Sequence, residues 1–426
     1  MRRFVKPRPV ALVFAALLAT PAAAAAQRCG GPALNLGTGC AGLSIGNSHR
    51  WRGVRLNWAD RNVDRVTGVN VTLWKPDFEH LSGRYGGISL GLIPAGERLR
   101  GVNLGVAGVV ADREISGLNV GGAAIVGNGV VRGVNVGGLA LVSNGSLVGV
   151  NLAGVATVAN ADARWVNLAG LATVTNGAML GLNVAGLATV ANGPLRGVSL
   201  AGAAVVTNGD ARGVNAAGVA MVANGELRWI NVGGLAVVGN SVVEGVSVGG
   251  LALVSNGRLR GLNLGGLATV ANATMTGVNL SGVATVSNGD MTGLNAGGLA
   301  VVANGRMSGI NLGGLAVVAG GGELSGLSVG GLAVESSRRI RGVSAALYRA
   351  RAPEISGAAL TGLLNRAGEL HGFGVAGWND IGRQRGLTIG LYNHARTLHG
   401  VQVGLLNRAD NNRPPFRWLP LVNAHR

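Results

Sequence analysis

The sequence Gly133-Val134-Asn135-Val136-Gly137-Gly138-Leu139-Ala140-Leu141-Val142-Ser143-Asn144-Gly145 decides the fold, because it recurs with a step of sixteen residues. The recurrence runs from Gly101 to about Arg341. Each copy keeps Asn or Ser at the first Asn position, and the copies from Asn128 to Asn304 also keep Asn near their end. Self-similarity at a fixed period is the signature of stacked-repeat proteins, in which each repeat contacts its neighbours. The sequence therefore predicts a repeat architecture rather than two or three globular domains.

Within one repeat, the chemistry alternates from residue to residue. If Gly133 is numbered zero, the odd positions include Val134, Val136, Ala140 and Val142, and they lie on one side of an extended chain. The even side carries Asn or Ser, small residues, and Thr or Val. A period of two with many β-branched residues predicts strands, and the Asn-Gly pair predicts a turn.

The way in which successive strands pair is the decisive question. Asn-Gly is favoured in two-residue hairpins, which supports an antiparallel meander. A two-residue turn, however, would pair odd positions with even ones, whereas a parallel solenoid places each position over its equivalent one rung away. The uniform columns favour the solenoid, although a turn of three or five residues would restore the meander.

We therefore predict an all-β repeat protein, a thin β-solenoid of about twenty rungs with 14–16 residues each. We expect ladders of Val, Leu and Ala to face inward, with columns of Gly and Ala between them. The alternative is an antiparallel outer-membrane β-barrel, because the odd side of the repeat is wholly apolar, as a lipid-facing surface is.

The chain divides into five segments by composition. Residues 1–26 have the basic start, the apolar stretch and the Ala-rich end of a secretory signal peptide. Residues 27–100 hold irregular repeats and resemble an N-terminal cap, residues 101–341 are the regular array, residues 342–410 hold shorter repeats of 14–16 residues, and residues 411–426 are a C-terminal cap. We accordingly expect an exported protein of the bacterial cell surface, outer membrane or periplasm.

The net charge and the cysteine content limit which binding partners and which cysteine sites the chain can have. The formal net charge is +18, and removal of Arg2, Arg3, Lys6 and Arg8 with the signal leaves 18 − 4 = +14. Cys29 and Cys40 are the only cysteines, and an exported chain favours a disulfide between them. They are too few for a thiolate zinc site.

Near the C-terminus the unit shortens to fourteen residues. Gly386-Leu387-Thr388-Ile389-Gly390-Leu391-Tyr392-Asn393 recurs as Gly400-Val401-Gln402-Val403-Gly404-Leu405-Leu406-Asn407. These units resemble bacterial surface-repeat proteins, whose units read roughly Gly-Leu-Gln-Ile-Gly-Leu-Val-Asn. The resemblance covers residues 357–407 best and the array more loosely, and it implies export and a cell-surface setting without any defined activity.

Two polar columns are candidate sites. Stacked Asn amides about 4.8 Å apart are expected to hydrogen-bond as a structural ladder, with members Asn128, Asn144, Asn160, Asn176, Asn192, Asn208, Asn224, Asn240, Asn256, Asn272, Asn288 and Asn304. A second column is a stripe of arginines, two of which precede a Trp, and it is a candidate polyanion-binding edge with members Arg132, Arg164, Arg196, Arg212, Arg228, Arg260, Trp165 and Trp229. An ordinary solvated turn is the alternative for the stripe, since acidic residues lie two positions before three of these arginines.

No arrangement of residues predicts catalysis, a cofactor or a metal. The histidines are too far apart in a stack to share a zinc ion, and the sparse carboxylates lie in turns or caps. The predicted function is that of a structural or adhesive surface protein, with anionic polysaccharide, lipid headgroups or the outer-membrane surface as partners. We also expect self-association through repeat ends, and no specific nucleic acid. A channel or anchor in the outer membrane is the second hypothesis and a polysaccharide-acting enzyme a distant third.

Overall fold

The computed structural model describes residues 29–78 and 81–426, so the predicted signal peptide lies outside the described residues. The described chain forms strands without a helix and winds into a β-solenoid of about 21 turns with rungs of about 16 residues. Neighbouring rungs pair in parallel, for example with Asn151 beside Asn167 and Asn135. The predicted solenoid is confirmed. The antiparallel barrel is not supported, because it requires antiparallel neighbours throughout.

The chain forms two compact units, which divide between Ala201 and Gly202, inside the regular array. Unit 1 contains seventeen strands. They are β1 (Ala33–Thr38), β2 (Ala41–Gly46), β3 (Arg50–Asn57), β4 (Arg65–Thr72), β5 (Arg84–Gly91), β6 (Ala95–Gly105), β7 (Gly108–Gly121), β8 (Ala124–Gly127), β9 (Val130–Gly137), β10 (Ala140–Ser143), β11 (Leu147–Ala153), β12 (Ala156–Ala159), β13 (Ala163–Ala169), β14 (Ala172–Thr175), β15 (Met179–Ala185), β16 (Ala188–Ala191) and β17 (Leu195–Ala201).

Unit 2 continues the same alternation of short and long strands and ends in longer ones. Its strands are β18 (Ala204–Thr207), β19 (Ala211–Ala217), β20 (Ala220–Ala223), β21 (Leu227–Gly233), β22 (Ala236–Gly239), β23 (Val243–Gly249), β24 (Ala252–Ser255), β25 (Leu259–Gly265), β26 (Ala268–Ala271), β27 (Met275–Ser281), β28 (Ala284–Ser287), β29 (Met291–Gly297), β30 (Ala300–Ala303), β31 (Met307–Gly313), β32 (Ala316–Ala319), β33 (Glu323–Gly330), β34 (Ala333–Ser336), β35 (Arg339–Ala346), β36 (Arg349–Thr361), β37 (Leu364–Val375), β38 (Trp378–Ala409) and β39 (Trp418–His425).

The even side of the repeat faces the interior, which corrects the expectation that the Val side does. Leu141, Leu147 and Asn135 are fully buried, whereas Val134 is 40% exposed. Positions eight and fourteen of each rung place Leu, Met, Val, Thr or Ala in the interior, and position two places Asn or Ser there. The other interior positions hold small residues. The period of two was right, but the more polar side of the strand lies inside.

Two glycine columns are required by the close stacking of rungs. At position zero, the glycines adopt positive φ values, such as 102° at Gly133, which L-residues avoid. At position five, a Cβ on Gly250 would lie 1.8 Å from the carbonyl oxygen of Gly234 on the preceding rung. A side chain at Gly250 therefore forces the backbones of neighbouring rungs apart.

Antiparallel strands close both ends of the described array. Strand β1 pairs antiparallel with β2, and Cys29 forms a disulfide with Cys40 beside this pair. At the other end, β39 pairs antiparallel with Gly400–Arg408 of β38. The reversal of strand direction ends the parallel stacking, as a capping element must in a repeat array.

A buried ion pair fills the interior of the N-terminal cap. The guanidinium of Arg55 is fully buried and lies 2.5 Å from Asp60 Oδ1, and it also donates to Asn70. Thr72 and Tyr85 donate their hydroxyl protons to Asp60 Oδ2. Burial alone would raise the pKa of Asp60, but Arg55 and the hydrogen bonds outweigh it and lower that pKa below its ordinary value. Burial and the Asp60 carboxylate hold the pKa of Tyr85 well above its usual range.

Candidate binding surface

The predicted Arg column lies at the start of the long strand of six rungs, with its side chains outward. In unit 1, Arg132, Arg164 and Arg196 are exposed, and in unit 2 Arg260 is exposed while Arg212 is half-buried. The parallel register places Arg212 directly beside Arg228. Neighbouring rungs therefore present this column at the spacing of paired strands, about 4.8 Å.

The acidic residues before some of these arginines neutralise part of the column. Arg164 lies 2.9 Å from Asp162, and this hydrogen bond lowers the pKa of Asp162 below its ordinary value. In unit 2, Arg228 lies 2.7 Å from Glu226, and that carboxylate also lies 3.8 Å from Arg212. Within the described part of the chain, the other three members, Arg132, Arg196 and Arg260, form no ion pair. Glu244 lies directly beside Arg260 in the parallel register, so Arg132 and Arg196 in unit 1 are the members that are free for an anionic ligand.

Trp165 and Trp229 occupy the glycine column at position zero and have the conformation of the glycines they replace. Their φ values are 85° and 84°, in the left-handed region that costs an L-residue about 1–3 kcal/mol. Alternation would turn these side chains inward, but the positive φ directs them outward, and each is 69% exposed. Arg164, Trp165 and Val166 thus point outward in succession, at a corner of the rung.

Beyond this corner the outward side chains are apolar on every regular rung. In the turn between long and short strands, at position six, the Val and Leu side chains of unit 1 have exposed fractions from 38% at Val155 to 57% at Leu139, whereas Ala107 and Ala123 are half-buried. In unit 2, Leu235, Leu251 and Leu267 occupy the same position and are exposed by 46–51%. Positions one and three of the long strand carry Val, Leu, Ile or Ala and no charge. We name the outward residues at positions one, three and six the apolar face.

The predicted Asn column forms an exposed chain of hydrogen bonds. Asn144 Nδ2 donates to Asn128 Oδ1 over 2.9 Å, and Asn160 donates to Asn144 over 2.8 Å. Unit 2 repeats the pattern, for example from Asn272 to Asn256 over 2.8 Å. In each of these bonds the amide donates to the rung before it.

A second Asn ladder, formed by the first Asn of each repeat, lies inside the solenoid. Asn135 donates to Asn151, and Asn151 to Asn167, over 2.8 Å each, with all three side chains fully buried. The shorter rungs near the C-terminus form their own buried ladder, for example from Asn379 to Asn393 over 2.7 Å. These amides donate to the rung after them, opposite to the exposed ladder. The strict repetition of the first Asn was the signal for this ladder.

Ionisable groups elsewhere in unit 2 form pairs rather than a metal site. His394 lies 3.1 Å from both Asp380 and Asp410, which lie on different rungs. A groove of about 530 Å³ is lined by Glu335, Arg351 and other residues of neighbouring rungs. Across residues 29–78 and 81–426, no group of three or more His, Cys, Asp or Glu is placed to hold a metal ion.

Comparisons with known proteins leave the family open. The sequence matches no protein-family model, and neither a curated protein nor a solved structure matches it. The resemblance to bacterial surface-repeat proteins therefore stays a prediction. In the part of the chain that the structure describes, no helix has the length and hydropathy needed to cross a bilayer.

Proposed function

We propose that this chain is an exported, non-enzymatic repeat protein with a structural or adhesive role at the bacterial cell surface, and that it binds anionic groups of the envelope along its Arg column. The observation that carries the proposal is the pair of Arg132 and Arg196 in unit 1, which are exposed and, among the described residues, form no ion pair. Guanidinium groups form paired hydrogen bonds with phosphate, sulfate and carboxylate groups. A polymer with repeated anionic groups matches a column that repeats along the solenoid.

The rest of the molecule supports a scaffold rather than a catalyst. The chain carries a formal charge of +18, which favours anionic partners. Its carboxylates are engaged with arginines or histidines in many rungs, as Glu226 and Asp410 illustrate. Export rests on the signal-like residues 1–26, and N-terminal sequencing of the secreted or envelope-bound protein tests it. A mature N-terminus near Gln27 is expected, and an intact Met1 in the envelope fraction would contradict cleavage.

Binding to dextran sulfate, a soluble polyanion, tests the Arg column. We expect the double variant Arg132→Gln/Arg196→Gln to lose at least tenfold in affinity and to show a weaker dependence on salt concentration. The matched control is Arg413→Gln/Arg426→Gln, which removes the same formal charge from exposed positions near the C-terminus. Equal losses in the two double variants would show that net charge alone drives binding and would contradict a role for the column.

A further inference from the structure

We infer that the apolar face is a docking surface for an anionic lipid bilayer, into which its Leu, Val and Trp side chains insert to a shallow depth. This inference rests on the proposed function, because it uses the same Arg column, and it names the source of the anionic groups as a lipid surface. Its support comes from three independent features of the surface: its apolar columns, its two Trp residues and its charge.

The extent of the apolar face is the first feature. Exposed apolar side chains recur on successive rungs, and in unit 2 they include Ile230, Leu262 and Ile310 at position one, exposed by 37–45%, beside Leu235 and Leu251 at position six. No charged residue interrupts positions one, three and six of the regular array. Contiguous apolar patches of this kind mark surfaces that are covered by a partner or a membrane. A ligand made only of sugar hydroxyls and anionic groups does not remove these apolar side chains from water.

The second feature is the placement of Trp165 and Trp229. Each lies between an Arg and the apolar residue at position one, so these two rungs carry Arg, Trp and an apolar side chain in succession. Trp is the residue favoured at the boundary between headgroups and acyl chains. The Arg beside each Trp is paired with Asp162 or Glu226, so the free charge of the column comes from Arg132 and Arg196. Both Trp residues are held at a φ near 85°, where glycine is the preferred residue. A strained, exposed side chain points to a role outside the fold.

The third feature, charge, distinguishes a lipid surface from a second copy of this chain. With a formal charge of +18, or +14 without residues 1–26, two copies repel each other, and each would bring its own Arg column to the shared interface. An anionic bilayer attracts the same charge, because basic side chains near its surface strengthen binding. The face therefore combines apolar insertion with electrostatic attraction, as interfacial membrane proteins do.

Vesicle co-sedimentation of the purified chain tests the inference. We expect binding to phosphatidylglycerol–phosphatidylcholine vesicles and at least tenfold weaker binding to phosphatidylcholine alone. The variant Leu235→Gln/Leu251→Gln/Leu267→Gln is expected to lose at least tenfold in affinity for the anionic vesicles while keeping its affinity for dextran sulfate. The matched control, Phe416→Gln/Leu421→Gln, removes exposed apolar side chains from the C-terminal cap and is expected to bind vesicles like the parent.

The variant Trp229→Gly separates docking from folding. Glycine is the residue of this column on the other rungs of unit 2, such as Gly213 and Gly245, so the thermal midpoint of unfolding is expected to stay equal or rise. Vesicle affinity is expected to fall severalfold, and the shift of Trp emission to shorter wavelength on vesicle binding is expected to shrink. A loss of vesicle binding in a variant that is at least as stable as the parent cannot come from misfolding.

Four outcomes distinguish the hypotheses. Unchanged vesicle binding by the triple Gln variant overturns the lipid inference, and the Arg-column proposal then stands or falls on Arg132→Gln/Arg196→Gln with dextran sulfate. Equal binding to neutral and anionic vesicles overturns the inference that attraction to anionic lipid contributes to docking. A stable dimer in sedimentation velocity that dissociates on Leu→Gln substitution overturns the inference in favour of a second copy. Binding to neither vesicles nor dextran sulfate contradicts both proposals.

Discussion

The amide of Asn151 is fully buried, yet both of its polar atoms are satisfied by neighbouring rungs. Its Nδ2 donates to Asn167, and its Oδ1 accepts from Asn135. A buried polar group without a partner costs about 1–3 kcal/mol, so repetition of the residue is what makes burial of Asn tolerable. One substitution in the ladder therefore affects three residues.

We predict that Asn151→Ala lowers the free energy of unfolding by about 2–4 kcal/mol, because it leaves a buried donor on Asn135 and a buried acceptor on Asn167. The matched control is Asn160→Ala in the exposed ladder, where water replaces the lost partner and the expected loss is below about 1 kcal/mol. Urea denaturation of the two variants measures the difference. Equal losses would mean that burial does not decide the stability of these ladders.

For single residues, the sequence predicts which of them share one side of a strand but not which side faces the interior of the solenoid. Val134 and Asn135 alternate with equal regularity, so the period alone does not separate them. Hydrophobicity favours Val in the interior. Once rungs stack, however, the Asn amides of neighbouring rungs satisfy each other's hydrogen bonds, and a hydrophobicity value for a single residue does not include this cooperative stabilisation. The exposure of Trp165 was not predictable from the sequence either, because it depends on the positive φ that Trp165 shares with the glycines of its column.

At the scale of the element, the turn between the long and short strands depends on the glycine column at position five. We predict that Gly250→Ala lowers the free energy of unfolding by about 1–3 kcal/mol, because its Cβ would overlap the carbonyl oxygen of Gly234. In the control Gly86→Ala, the Cβ would meet no atom within 4 Å. Thermal unfolding of both variants is the measurement, and a Gly250→Ala protein as stable as Gly86→Ala would refute the steric explanation.

The N-terminal cap depends on a single buried ion pair, Arg55 with Asp60. We predict that Asp60→Asn lowers the free energy of unfolding at pH 7 by about 3–5 kcal/mol, because it leaves the Arg55 charge buried without a counter-ion. Since folding lowers the pKa of Asp60, its stabilising contribution is complete above the unfolded pKa of about 3.9 and is lost as the pH falls through the folded value.

Denaturation curves of the parent and Asp60→Asn across pH 7 to pH 2 measure this contribution. The difference in unfolding free energy between them is expected to stay constant above about pH 5 and to shrink below about pH 4. The other carboxylates with lowered pKa values, such as Asp162 and Asp290, are present in both proteins and cancel in the difference. A difference that grows with acidity would contradict the lowered pKa.

At the scale of the whole molecule, an array of parallel rungs ends in unpaired backbone groups unless another element covers them. Strand β39 covers Gly400–Arg408 of the last rung. We predict that a chain truncated after Asp410 associates in a concentration-dependent manner, because the exposed strand edge pairs with another copy. Sedimentation velocity measures the association. The full-length Leu421→Gln protein retains β39 and is the control, and a monomeric truncated chain would show that the edge is harmless.

Across the whole molecule, the stacked architecture was predictable from the repeat, whereas the pattern of free Arg and exposed Trp residues on the surface was not. Identical positions such as Asn151 and Asn167 must share one environment, and parallel stacking provides it with little further information. The proposed binding surface depends instead on exceptions to the repeat, namely where an Arg forms no ion pair and where a Trp replaces a Gly. Arg132 and Arg212 are equivalent in the repeat, and only their neighbours determine that Arg212 is paired.

The in-register pairing of rungs persists although rung length varies. Gly309 pairs with Gly326 seventeen residues on, Gly342 with Gly357 fifteen on, and Gly372 with Gly386 fourteen on, while the strands keep equivalent positions side by side. The turns absorb the difference, as Gly320-Gly321-Gly322 does. A gene with this repeat is therefore able to gain or lose one copy by unequal recombination and still encode a foldable chain. Copy number becomes a heritable variable that sets how many rungs the array contains.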